Sequence, residues 1–283
     1  MDLLQLYPWI WIACAALIGL QFGSFLNLLI WRLPVMLHQQ WEDEVAQFQG
    51  QEVPARQNFN LFFPASHCTT CMTPLRAHEL IPVLSFLWLK GRCSHCDAEV
   101  SWRYPLVELA VAVWWGWCAA HWGLTPAAVA WSGFGTVLLA LALIDADTML
   151  LPDNLTLPLL WAGLVLSALG WINVNLTDSV WGAVAGYLFL WLVHAVFKMV
   201  TGKQGMGEGD FKLLAALGAW LGWLALPGLV LMASLLGVLI ALVMRWRGAL
   251  ASGQALPFGP SLAIAGACIA CYEPALIFNR LAT

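Results

Sequence analysis

Two acidic segments carry the residue types for hydrolytic chemistry. One reads Leu143-Ile-Asp145-Ala-Asp147-Thr-Met-Leu-Leu-Pro152-Asp153, the other Gly205-Met-Gly207-Glu208-Gly209-Asp210-Phe-Lys212. Both adjoin long apolar runs, and an acid at a membrane edge costs free energy and marks a functional site. Two carboxylates held close cannot both ionise, so one keeps a proton and the pair supplies a general base and a general acid together. In aspartyl proteolysis the ionised partner takes a proton from water while the protonated partner polarises the scissile carbonyl. Gly207 and Gly209 would let the backbone come close to a peptide and turn sharply at the helix entrance. On a helix continuing past Ile144, Asp145 and Asp147 are ~200° apart, so only one of them can face Asp210. Asp153, directly after Pro152, reads as a helix N-cap, and Glu208 between two glycines as a solvated acid. The competing reading of Asp145 and Asp210 is a pair of interfacial acids capping helix ends.

A second constellation is Cys68-Thr-Thr-Cys71 with Cys93-Ser-His-Cys96. Each pair can turn two thiolates toward one point, and two such knuckles make a tetrahedral sulfur site for Zn²⁺. Disulfides would need an oxidising compartment, and a thioredoxin-type redox pair would need a βαβ pattern that is absent. His67 and His95 flank the cysteines, but four thiolates already satisfy the ion. Cys14, Cys118, Cys268 and Cys271 fall within apolar spans and read as buried small hydrophobes.

The elements that must position these groups are membrane helices. Of 283 residues, 61% are hydrophobic and 10% charged, with 18 tryptophans. That composition excludes an ordinary soluble domain and a disordered chain. Only 12 Lys and Arg and a net charge of −4 exclude a nucleic-acid binder. A span needs ~20 apolar residues. Such runs start at Trp9, Leu106, Pro126, Leu155, Ser179 and Leu213, and a last one follows Pro260; the 213–244 run is too long for one helix and is expected to break at Pro227-Gly228. Eight spans result. The first lacks a basic leader and a small-residue cleavage site and reads as a retained helix. With eight spans, eleven of the twelve basic residues fall on one side, which the charge rule makes cytoplasmic, and only Arg280 on the other. Both termini then lie outside the cytoplasm, and both acidic segments face it.

The expected architecture is thus an all-α polytopic membrane protein: a first transmembrane helix in 1–31, a small cytoplasmic zinc-binding domain in 32–104, and a seven-helix membrane domain in 105–283. The 32–104 loop holds six of the basic residues and four of the six histidines. A domain of about 70 residues has little core of its own, so a metal that supplies folding free energy suits it.

With these residues in place the sequence resembles the type IV prepilin peptidase family. The resemblance rests on Gly23-Ser-Phe-Leu-Asn27-Leu-Leu-Ile-Trp-Arg32-Leu-Pro34, the four-cysteine loop, Arg103-Tyr-Pro-Leu-Val-Glu108, the Asp145 segment, the Gly-Met-Gly-Glu-Gly-Asp210 segment and Pro257-Phe-Gly-Pro260, in that order over nearly the whole chain. It implies a bifunctional enzyme of the bacterial inner membrane. Such an enzyme cuts the short basic leader from prepilins or type II secretion pseudopilins after a glycine, then N-methylates the new terminal residue with S-adenosylmethionine. The resemblance also implies that Asp145 and Asp210 are the catalytic aspartates, with Asp147, Gly207, Gly209 and Glu108 as secondary candidates. The methyl donor is implied by resemblance alone, because no Gly-rich strand–turn–helix fingerprint is visible. Small residues from Gly23 to Asn27 suit helix packing, and Glu108 could pair with nearby Arg103. The competing function is a proton- or cation-coupled transporter using the same aspartates; the inverted repeats that would favour it are absent.

Overall fold

The computed structural model describes residues 8–53, 56, 58–203, 205–248 and 256–272. Both termini, Glu273 and Arg280 lie outside the described residues. The described chain is helical, with only two isolated β-bridges and no strand. Four helices are long and apolar enough to cross a membrane, over Trp9–Phe48, Pro126–Thr148, Leu176–Thr201 and Trp223–Trp246. Helices also form at the other four expected places, but within the described residues these are shorter or less apolar. The chain divides into two compact units, Met1–Thr136 and Val137–Thr283.

In the first unit, α1 (Pro8–Phe48) does not stop where Arg32 interrupts the apolar run but continues through Pro34. Arg32 is buried because the following segment folds back over it. Its guanidinium donates to the carbonyls of Asn60 (2.8 Å) and Pro64 (2.6 Å) and lies 5.6 Å from the centre of the Phe59 ring. A buried arginine whose donors are satisfied does not have to mark a helix end. Farther along, Arg56 donates to the Gln39 carbonyl and to Glu42, so the returning chain is also tied to the extension of α1.

A short helix α2 (Leu84–Trp88) precedes α3 (Arg103–Trp122), which packs antiparallel on α1. The contact is a stripe with a step of four residues on each helix. A Cβ at Gly19 would lie 2.9 Å from Ala112 Cα, one at Gly23 would lie 2.6 Å from Glu108 Cα, and the Asn27 amide donates to the Tyr104 carbonyl at 3.0 Å. Small residues let the two backbones approach without a large hydrophobic gain, which is how helices associate in lipid. The start of α4 (Pro126–Thr148) joins this unit through indole N–H groups: Trp114 donates to the Trp131 carbonyl and Trp115 to the Thr136 hydroxyl.

The second unit holds the rest of α4, then α5 (Asp153–Ala168), α6 (Leu176–Thr201), α7 (Glu208–Leu221), α8 (Leu226–Trp246) and α9 (Gly259–Cys271). Its core is α7, apolar on every side and almost wholly buried, as expected for a helix surrounded by others. Against α7, α6 presents Ser179, Gly182 and Gly186. The Ser179 hydroxyl donates to the Ala219 carbonyl at 2.6 Å, and a Cβ at Gly182 would meet the Gly218 carbonyl oxygen at 2.1 Å. On the α5 side, Gly163 makes room for Trp220, whose indole donates to the Leu159 carbonyl.

The break in the 213–244 run falls at Gly222 and not at Pro227-Gly228 as expected. Gly222 takes φ +80°, a short 3-10 turn follows, and Pro227 sits in the first turn of α8, where its missing N–H has no helical partner to lose.

Candidate active site and metal centre

The acidic site is built at one end of the second unit. The end of α4 and the starts of α5, α7 and α9 meet there. Met149 adopts a left-handed φ of 57° and turns the chain out of α4, which leaves Leu151 between two glycines. A Cβ at Gly209 would lie 2.6 Å from Leu151 Cβ, and one at Gly259 would lie 3.2 Å from Leu151 Cδ2 and 2.6 Å from Asp145 Oδ2.

Asp145, near the end of α4, is 5% exposed, and Asp210, in the first turn of α7, is 8% exposed. Both carboxyls are therefore withdrawn from solvent, and they are near enough to interact electrostatically. Asp145 Oδ2 accepts the Gly259 N–H at 2.9 Å across 114 positions of sequence. Asp210 lies beside Gly207, the residue that opens α7: a Cβ there would come no nearer than 4.0 Å to Asp210 Oδ2. Asp147 and Glu208 are exposed on other faces of their helices.

Asp153 corrects the N-cap expectation. Pro152 holds the cap position, and Asp153, the first residue of α5, accepts both bonds of an ion pair from Lys212 Nζ at 2.7 and 2.8 Å. That pair links the start of α5 to the first turn of α7, two residues beyond Asp210. Gly259 and Leu151 are the site neighbours that the acid spacing did not reveal. The Pro257-Phe-Gly-Pro260 segment carried the signal for Gly259, and the Asp145 segment that for Leu151.

The second constellation belongs to the first unit. Cys68, Cys71, Cys93 and Cys96 bring their sulfurs within 4.8 Å of one another, a group that could hold a metal ion. Cys68 and Cys96 Sγ are 3.8 Å apart. Four sulfurs at ~2.3 Å from a tetrahedral Zn²⁺ stand about 3.8 Å from each other, so the donor set fits that ion.

The two knuckles repeat one backbone design. The Cys68 N–H donates to the Thr73 carbonyl and the Met72 N–H to the Cys68 carbonyl, while Cys93 and Asp97 do the same with Ala98 and Cys93. Met72 and Asp97 both take left-handed φ, 58° and 56°, and an antiparallel bridge closes each turn, His67 with Pro74 and Arg92 with Glu99.

N–H groups of Cys71 and Thr70 aimed at the Cys68 sulfur lower its thiol to about 6. At Cys96 the Ala98 N–H acts in the same sense, but desolvation and the neighbouring thiols of Cys71, Cys93 and Cys68 outweigh it and push that thiol up to about 12. Four crowded thiols cannot all ionise without a cation among them. Glu79 ties the knuckles together: its carboxylate accepts the Arg76 N–H at 2.7 Å and the Ser94 hydroxyl, and those two bonds, the hydroxyl's first, lower its pKa. His67 and His95 are engaged with Ala65 and Ser94.

Of the other cysteines only Cys118 is buried; Cys14 and Cys271 are exposed, which corrects their reading as core residues. Glu108 is buried, and its Oε2 accepts the Val83 N–H at 2.8 Å, joining α3 to the segment that leads into α2.

No solved structure matches the chain. The bacterial peptidase A24 N-terminal domain matches residues 17–122. Relatives align over nearly the full length. A prepilin leader peptidase/N-methyltransferase of Stutzerimonas stutzeri is 48% identical over 92% of this chain and 90% of its own. Proteins of the same name from Pseudomonas aeruginosa and Aeromonas hydrophila are 48% and 47% identical, covering 94% and 92% of this chain and 92% and 90% of theirs. Residues 132–242, which include both buried aspartates, match the type IV leader peptidase family, and with relatives this similar over this much of its length the chain belongs to that family.

Proposed function

We propose that this protein cleaves the leader peptide of type IV prepilins or type II secretion pseudopilins with an Asp145–Asp210 dyad and N-methylates the new amino terminus. One observation carries the peptidase half: the Asp145 and Asp210 carboxyls, 65 positions apart in sequence, are both buried and near each other beside three glycines, and the Gly259 N–H, 114 positions from Asp145, is bonded to its Oδ2. Such a pair holds one proton between its members. The ionised carboxylate removes a proton from water as it attacks the scissile carbonyl, and the protonated one donates to the developing oxyanion. Side-chain-free Gly207 leaves space beside Asp210 for an extended peptide backbone, while Gly209 and Gly259 let Leu151 and Asp145 pack tightly around the dyad.

The substrate's geometry agrees with the sidedness that the basic residues imply. A leader followed by an apolar helix presents its cleavage site at the membrane face, and the charge rule makes that face cytoplasmic, with the protein in the bacterial inner membrane and both termini periplasmic. Zn²⁺ held by Cys68, Cys71, Cys93 and Cys96 would contribute folding free energy to a segment with little core of its own. The methyl group comes from S-adenosylmethionine, which supplies it as an electrophile. The described residues contain no strand–turn–helix nucleotide cradle, so no methyl-transfer step is assigned to a side chain.

Purified protein incubated with a prepilin tests this reading. Asp145→Asn and Asp210→Asn should each lower cleavage by about 10²–10⁴-fold. Full processing by both variants would refute the dyad. Metal analysis of the intact protein should find about one zinc per chain, lost on replacing the four cysteines.

A further inference from the structure

We propose that Gly259 is a positioning residue for Asp145, so that the start of α9 is a third working part of the peptidase site. The inference rests on the dyad reading above. Its first support is a buried hydrogen bond: the Gly259 N–H reaches Asp145 Oδ2 at 2.9 Å. The second is steric, because a Cβ at 259 would stand 2.6 Å from Oδ2 and 3.1 Å from Asp145 Cγ. No side chain fits there unless the carboxyl moves.

The location of the N–H gives the contact its meaning. Gly259 is the first residue of a 13-residue helix, so its N–H has no partner within that helix and is available to an acceptor outside it. Asp145 Oδ2 takes that place. An oxygen that accepts an N–H is held as an acceptor, so the proton shared by the dyad is kept off Oδ2, and the carboxyl is fixed in one rotamer. Among the described residues, the Asp210 carboxyl from α7 and the Gly259 N–H from α9 face Asp145, and Asp147 on its own helix is exposed. An enzyme that must hold one carboxyl ready to take a proton needs that orientation before substrate arrives, and a donor fixed on a rigid helix provides it without reorganisation.

Gly259→Ala should lower kcat for prepilin cleavage on the order of 100-fold with KM little changed. It should also move the acidic limb of the kcat profile to higher pH, because a carboxylate that loses its donor is harder to ionise. Gly266→Ala is the control. It lies in the same helix, and its new methyl would press on Leu217 Cδ2 at 2.5 Å with no contact to Asp145. It should lower the unfolding temperature while leaving the pH profile in place.

A measurement on the unsubstituted enzyme covers the case in which Gly259→Ala does not fold. With ¹⁵N-glycine labelling, the Gly259 amide resonance should titrate along the acidic limb of cleavage, and Asp145→Asn should abolish that titration. The proposal is overturned if the Gly259 amide does not titrate, if Gly259→Ala keeps the normal rate and profile, or if Gly266→Ala shifts the profile equally. Should Asp145→Asn itself retain cleavage, the dyad reading fails. If both Asn variants are inactive while Gly259→Ala behaves normally, the dyad stands and only the positioning role of Gly259 falls.

Discussion

At the scale of single residues, burial and partners separate groups that the sequence makes look alike. Asp145 and Asp147 are two positions apart, yet the helix turns one inward and the other out to solvent. Asp153 looks like a cap but is half of an ion pair with Lys212. At the cysteine cluster, Glu79 is the residue to watch, since it bonds both the stretch following the first knuckle and Ser94 inside the second. Outer-shell partners of this kind usually set how well thiolates are preorganised. Glu79→Ala is expected to weaken metal binding by about 10- to 100-fold, read by competition with a chromogenic chelator, without changing the number of ions bound. An unchanged affinity would assign Glu79 to surface capping alone.

At the scale of elements, the hydrophobic pattern locates helices well and their ends poorly. The reason is visible at α1, where the charge that ought to end a span is hydrogen-bonded by carbonyls from the returning chain, and at the α7–α8 junction, where a glycine with positive φ makes the break and the proline merely begins the next helix. Both outcomes depend on partners remote in sequence or on backbone angles that no periodicity records. Packing, by contrast, is written in small residues. Gly182 approaches the Gly218 carbonyl so closely that any side chain must push α6 away from α7, the helix that carries Asp210. Gly182→Leu should therefore destabilise the second unit by about 3 kcal/mol and reduce cleavage with it. Thermal unfolding in detergent, compared with a lipid-facing substitution such as Val193→Leu, measures the difference.

At the scale of the whole molecule, the second unit brings the end of α4 and the starts of α5, α7 and α9 together through Leu151, Lys212 and Gly259. That gathering follows from helices of the second unit that alternate in direction, and the sidedness proposed from the basic residues rests on the same alternation. An impermeant maleimide applied to intact cells should label Asn173→Cys, in the connection between α5 and α6, and leave Lys203→Cys, beyond α6, unlabelled until the membrane is opened. Labelling of Lys203→Cys from outside would reverse the sidedness proposed for the active site.

Some of this protein was readable in its residues alone. A chain so poor in charge must place its backbone in helices within lipid, and two paired CxxC motifs carry their ligand geometry locally, each knuckle being closed by bonds within a few residues. Which acids come together was different, because it depends on contacts across 114 positions and on the volume left by glycines that a sequence shows only as missing side chains. Each cysteine knuckle is a short-range object and was legible. The surroundings of the two buried aspartates, above all the N–H of Gly259 on Asp145, exist only once α4, α7 and α9 are packed against one another.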